Sequence, residues 1–175
     1  MKRMIFATMI MLMSTFSFAQ TNATVTTSKE NAVEATKSGN KFVGLNTSSL
    51  GFTNTDGVTN TNVGLELGAF AVDNLAVVGT VGYGATTSEN FNTNDWFYGA
   101  GLRYYVGSVL PLQVDWKGST GNSFHPSTSY VGFQGGYAWF PFKNFSIEPT
   151  LRYDLSTKTE YKNTFSGKVG FNLFF

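Results

Sequence analysis

From Lys41 to its last residue the chain alternates apolar and polar side chains with a period of two, in segments of strand length. Residues 62–72 set Val63, Leu65, Leu67, Ala69 and Ala71 on one face, with Gly64, Glu66, Gly68 and Phe70 on the other. The same phase holds in 75–86 (Leu75, Val77, Val81, Tyr83) and in 96–106 (Trp96, Tyr98, Ala100, Leu102, Tyr104). It continues through 110–117, 128–140, 145–155 and 164–175. In residues 42–53 the parity breaks, because Val43 and Leu45 oppose Leu50 and Phe52, and a bulge near Ser48-Ser49 would reconcile them.

Eight strands follow, of roughly the ~9–11 residues that a tilted membrane strand requires. Their connections are expected in two classes. Asp73-Asn74, 107–109 and 141–144 are short, whereas 54–61, 87–95, 118–127 and 156–163 are longer and rich in Thr, Asn, Ser and Gly. Strict alternation of short and long places the long loops at one end, the habit of an outer-membrane barrel. Ahead of the strands, residues 20–40 are polar, lack aromatics and show little period, so they are expected to be a flexible lead-in with at most one helical turn near 31–36.

Alternation alone suits two opposite objects, a soluble lipocalin-like barrel with the apolar row inside and a membrane barrel with it outside. Composition decides. Charged residues make up 13% of the 175-residue chain, about half the usual share. The polar row is glycine-rich and carries Glu66, Asp115, Glu148 and Asp154 against Arg103, Lys117, Arg152 and Lys168. On a lipid face each Lys or Arg would cost about 2–4 kcal/mol, whereas inside a narrow barrel the charges can pair and fill the lumen. The aromatics of the apolar row fall near strand ends. Tyr83, Trp96, Tyr98, Trp116, Tyr153 and Phe165 lie toward the long loops, and Tyr104, Tyr137, Trp139, Phe145, Phe171 and Phe175 toward the short turns. Two such girdles match the interfacial preference of aromatic residues. The inverted, membrane-spanning arrangement is therefore expected over residues 41–175.

At the N-terminus, Lys2 and Arg3 precede a short apolar run, and Ser17 and Ala19 are spaced for cleavage before Gln20. Residues 1–19 thus read as a secretory signal peptide. There is no cysteine, hence no disulfide, thiolate site or lipoprotein anchor. A net charge of +1 gives no case for nucleic-acid binding.

The segments "LGAFAVDNLAVVGTVGYGATT", "FYGAGLRYYVG", "YVGFQGGYAWFPFKNFSIEPTLRYDLS" and "GKVGFNLFF" resemble the small porin-like outer-membrane β-barrel domain family. The resemblance implies an integral outer-membrane protein with both termini in the periplasm and outer-membrane lipids as its surroundings. It also implies that Phe175, with Phe171 and Leu173 before it, is read by the barrel-assembly machinery. It brings no catalytic set and no cofactor.

Candidate chemistry is sparse. His125 and Ser127 form an H-x-S pair that faintly resembles outer-membrane lipid A deacylases, with Asp154 or Glu160 as the orienting acid. A loop histidine before a turn proline is the plainer account. "NTDG" around Asp56 has too few carboxylates for calcium, and no metal site is indicated. The expected role is structural or surface-interactive, through a side-chain-filled lumen and polar loops. The alternatives are a narrow porin-like channel, the lipid hydrolase, and a soluble periplasmic binding barrel.

Overall fold

The computed structural model describes residues 22–46, 50–55, 58–88, 92–120, 128–157 and 163–175. One helix, α1 (Asn22–Ala35), is followed by ten strand segments: β1 (Lys41–Asn46), β2 (Leu50–Thr55), β3 (Val58–Val72), β4 (Leu75–Thr87) and β5 (Asn92–Val106), then β6 (Leu110–Ser119), β7 (Ser129–Gly136), β8 (Trp139–Phe142), β9 (Phe145–Ser156) and β10 (Thr164–Phe174). All pairings are antiparallel. β1 and β2 both pair with β3, and β7 and β8 both pair with β9, so the ten segments make eight staves. β1 also pairs with β10, which closes the sheet into a barrel. Closure gives the first and last staves the hydrogen-bond partners that an open sheet would leave unmet.

The parity break in the first stave has a counterpart in the register. Gly44 faces Glu66 and Leu50 faces Val63, so six positions of the first stave span three of β3. That odd excess swaps the faces. The expected bulge at Ser48-Ser49 itself lies outside the described residues. A second irregularity sits between Phe70 and Val72, beside the turn at Asp73-Asn74, where Asn74 adopts a φ of 66°. At the next turn on that end, Gly107 and Ser108 are consecutive left-handed residues (φ 59° and 68°), the backbone that tight hairpins require.

Three sequence expectations change. First, residues 54–61 and 87–95 are mostly paired strand: the ladder continues through Thr61↔Ala85, Asn60↔Thr86 and Thr59↔Thr87. Backbone pairing needs no apolar side chain, and β-branched Thr suits it. Only residues 56–57 separate β2 from β3, so short and long connections do not strictly alternate. Second, β8 runs through Pro141, and the turn is Lys143-Asn144, with Phe142 facing Phe145. Third, the polar lead-in is a helix. Ser28, Asn31, Ala32 and Ala35 share the i, i+3, i+4, i+7 face of α1 and are buried at the short-turn end of the barrel. Asn40 Nδ2 caps the helix by donating to the carbonyls of Glu34 (2.8 Å) and Ala35 (3.1 Å). The helix docks on β8, where Phe140 N donates to Ser28 Oγ (3.1 Å) and Asn31 Nδ2 donates to Phe140 O (3.3 Å). Thr36 Oγ1 and Ser108 Oγ both donate to Asn74 Oδ1 (2.8 Å each), tying the end of the lead-in to two turns.

The apolar core lies inside the barrel at this short-turn end. Phe42, Phe70, Tyr105, Phe140 and Phe174 meet there with Ala76, Val78 and Ala138, and Ala32 and Ala35 of α1 join them.

Candidate functional site: the barrel lumen

The pleat turns every second residue inward. On β5 this presents Arg103 and Tyr105, and on β6 Gln113 and Asp115. On β9 it presents Ser146, Glu148, Thr150 and Arg152, and on β3 Glu66. None of Glu66, Arg103, Asp115, Glu148 and Arg152 is more than 4% exposed. The middle of the barrel thus hides these charges and displays its leucines, the reverse of a water-soluble protein.

Two arginines organise the interior. Arg103 pairs with Glu66 through Nη2, and its Nη1 lies 3.6 Å from Glu148 Oε2. Its Nε donates to Gln113 Oε1 at 2.6 Å, and the guanidinium sits 5.1 Å from the Phe42 ring centroid. Arg152 makes a bidentate pair with Asp115, Nη1 to Oδ2 and Nη2 to Oδ1, both 2.6 Å. Its Nε also donates to both oxygens of Asp154 at 2.8 and 3.0 Å. Gln113 Nε2 donates to Asp115 Oδ2 at 2.6 Å and so joins the two groups. Tyr105 (3.0 Å) and Ser146 (2.8 Å) donate to Glu148 Oε1, and Asn172 donates to Ser146 at 3.2 Å. Among the described residues no buried side-chain nitrogen or oxygen lacks a partner. A network satisfied this fully tolerates a low-dielectric site, where one missing member is costly.

Of the eight charged residues singled out in the sequence, six belong to this network: Glu66, Arg103, Asp115, Glu148, Arg152 and Asp154. Lys168 is buried and Lys117 half-buried, and neither makes an ion pair with a described residue. Sequence reasoning missed Tyr105, Gln113, Ser146 and Asn172 as members. Their only signal is shared parity with the charged residues. The meeting of Phe42, Phe70, Phe140 and Phe174 inside the barrel was missed too, although each sits out of phase with the apolar row.

The outer wall is apolar. Val63, Leu65, Leu67, Val77, Val81, Leu102, Leu112, Val114 and Leu151 are all exposed. Toward the polar loops, Tyr83 and Trp96 are register partners with ring centroids 5.3 Å apart, Tyr98 and Trp116 lie at 5.7 Å, and Tyr153 faces Phe165. Their polar atoms are met beside them: Asn94 donates to Tyr83 (2.8 Å), Asn163 to Tyr153 (3.2 Å), and Trp116 Nε1 to Ser129 (2.8 Å). At the other end Tyr104, Tyr137 and Phe171 are exposed, Trp139 and Phe145 half-buried, and Phe145 stacks on Phe171 at 6.5 Å. Leu173 and Phe175 are exposed on the same face as Phe171. Phe175 exchanges two backbone hydrogen bonds with Lys41 (2.8 and 2.9 Å) at the closing seam.

His125, Ser127, Glu160 and Asp56 lie outside the described residues. Asp154, offered as an orienting acid, has both carboxylate oxygens engaged by Arg152.

No protein-family model matches the chain, nor does any curated protein. Two solved structures are similar. The N-terminal β-barrel domain of Pseudomonas aeruginosa OprF aligns with a TM-score of 0.53 at 13% identity, covering 79% of this chain and 98% of that one. The Yersinia pestis outer membrane protein Ail aligns with a TM-score of 0.46 at 13% identity, covering 78% and 99%. With its eight closed antiparallel staves, the chain has the fold of the small outer-membrane β-barrels.

Proposed function

We propose that the protein is an integral outer-membrane barrel with a closed, side-chain-filled lumen, and that it acts in the envelope as a structural or surface-contact element. One observation carries this reading: ionic side chains fill the inside while large apolar side chains form a continuous outer belt between two aromatic rows. In water the belt would expose far more contiguous apolar surface than soluble monomers carry. In a bilayer the same belt meets hydrocarbon, and Tyr and Trp meet the headgroups. In this arrangement both termini and the short turns face the periplasm, the polar hairpins face outward, and Phe171, Leu173 and Phe175 present the outward face read during assembly. The filled interior favours this role over a porin-like channel.

Fractionation tests the reading. The protein should require detergent for extraction and should migrate differently on gels with and without boiling. A protein in the aqueous fraction with heat-independent migration would refute it.

A further inference from the structure

The lumen has two compartments of different chemistry. Toward the short turns, five rings from five different staves meet across the barrel: Phe42 of β1, Phe70 of β3, Tyr105 of β5, Phe140 of β8 and Phe174 of β10. Phe174 lies at the centre, 5.5 Å from Phe42, 6.3 Å from Phe70 and 5.3 Å from Phe140, and Phe70 reaches Tyr105 at 5.8 Å. Ala76, Val78 and Ala138 fill the remaining wall, and Ala32 and Ala35 of α1 pack into the same cluster. None of these side chains is more than 4% exposed. The one polar atom on the five rings, the Tyr105 hydroxyl, bonds to Glu148 and Arg103 and so belongs to the layer above. That layer is mainly polar and retains a cavity of about 10 Å³ whose lining includes Glu66, Arg103, Gln134, Glu148, Thr150 and Asn172. Such a volume is about that of one water position.

We infer that the aromatic layer is a dry septum, and that this septum, not the ion-pair network, is what bars ions from crossing the barrel. The inference rests on the membrane-spanning reading above. An ion in the network layer meets carboxylates, guanidinium groups and amides that can replace its water. In the septum it meets only hydrocarbon, where an unpaired charge has no compensation and a narrow passage stays dewetted.

Two experiments decide it. In planar bilayers, Phe42→Ala/Phe174→Ala should conduct where the wild type is silent, whereas Glu66→Gln/Asp115→Asn, with the septum intact, should stay silent. Conductance from the network pair, or silence from a septum pair that shows wild-type heat-modifiable migration, overturns the inference. A second test does not depend on the septum variant folding, because the chain lacks cysteine. Thr80→Cys and Ala76→Cys place a thiol on the inward row of one strand, at the level of the network and of the septum respectively. Silver ion added to the full-length protein in phosphatidylcholine vesicles should consume the thiol of Thr80→Cys and leave that of Ala76→Cys. Reaction of both thiols, or of neither, overturns the division. A wild type that needs no detergent and shows no heat-modifiable migration would instead refute the membrane reading itself.

Discussion

Replacing Arg152 with Met should be among the most damaging single changes this barrel can suffer. Arg152 is 1% exposed and holds two carboxylates, Asp115 by two bonds of 2.6 Å and Asp154 by Nε bonds of 2.8 and 3.0 Å. Methionine keeps much of the apolar stem, so the loss is electrostatic. Asp154 has a side chain 20% exposed and can regain water, but Asp115 stays buried with Gln113 as its remaining hydrogen-bond partner. Stranding a buried charge costs about 3–5 kcal/mol, and Asp115 carries most of it. Adding Asp115→Asn and Asp154→Asn to Arg152→Met removes the stranded charges, so the triple variant should be more stable than the single one, by about 1–3 kcal/mol. Urea unfolding in phospholipid vesicles, followed through the fluorescence of Trp96, Trp116 and Trp139, measures both differences. A single variant within about 1 kcal/mol of wild type, or a triple variant no better than the single, would refute the electrostatic account.

Three further outcomes follow from the same geometry. A Cβ on Gly132 would overlap the guanidinium of Arg152, so Gly132→Ala should cost about 1–3 kcal/mol in that assay, whereas Gly79→Ala, whose Cβ would meet only Gly99 O at 4.0 Å, should be neutral or better. Leu102→Arg puts a charge on the outer belt and should destabilise the vesicle-embedded barrel by about 2–4 kcal/mol, against about 0–1 kcal/mol for Thr61→Arg, on the outward row near the polar hairpins. Phe175→Ala leaves the seam hydrogen bonds to Lys41 in place and removes one exposed ring. It should lower the amount of assembled barrel in outer-membrane fractions while leaving the unfolding midpoint of purified, refolded protein unchanged; an unaltered membrane level would count against an assembly role.

The staves were legible because each strand's two faces meet opposite solvents. When leucines face out and charges face in, a one-residue slip would reverse every side chain, so the phase is written at each position. The same logic marks what the pattern hid. The ladder through Thr59, Asn60 and Thr61 lies beyond the apolar belt, where both faces are polar and no phase survives, so it read as loop. Helix α1 buries Ser28, Asn31, Ala32 and Ala35, side chains too small or too polar to register as an apolar stripe, because it covers a mouth already filled by rings. Arg103, Arg152 and their acids were found by parity and charge balance. The pairing, two carboxylates to each arginine, depends on which staves meet across the lumen, and no local pattern encodes that.

The septum shows how this reading sharpens further. Phe42, Phe70, Phe140 and Phe174 break the alternation by placing aromatics in the polar row, and all four fall on the short-turn end of their strands. A phenylalanine facing inward in a barrel whose outside is already apolar gains nothing from lipid. Its burial is favourable where it finds other surface to cover inside, and here that surface is other rings across the lumen. Out-of-phase aromatics at one height on several staves are therefore the sequence mark of a layer that crosses the lumen. Phe174 and Phe175, adjacent in the chain, divide between the two environments: one ring completes the interior layer and the other faces outward beside Leu173 and Phe171. A substitution at Phe174 should therefore lower stability, and one at Phe175 should not.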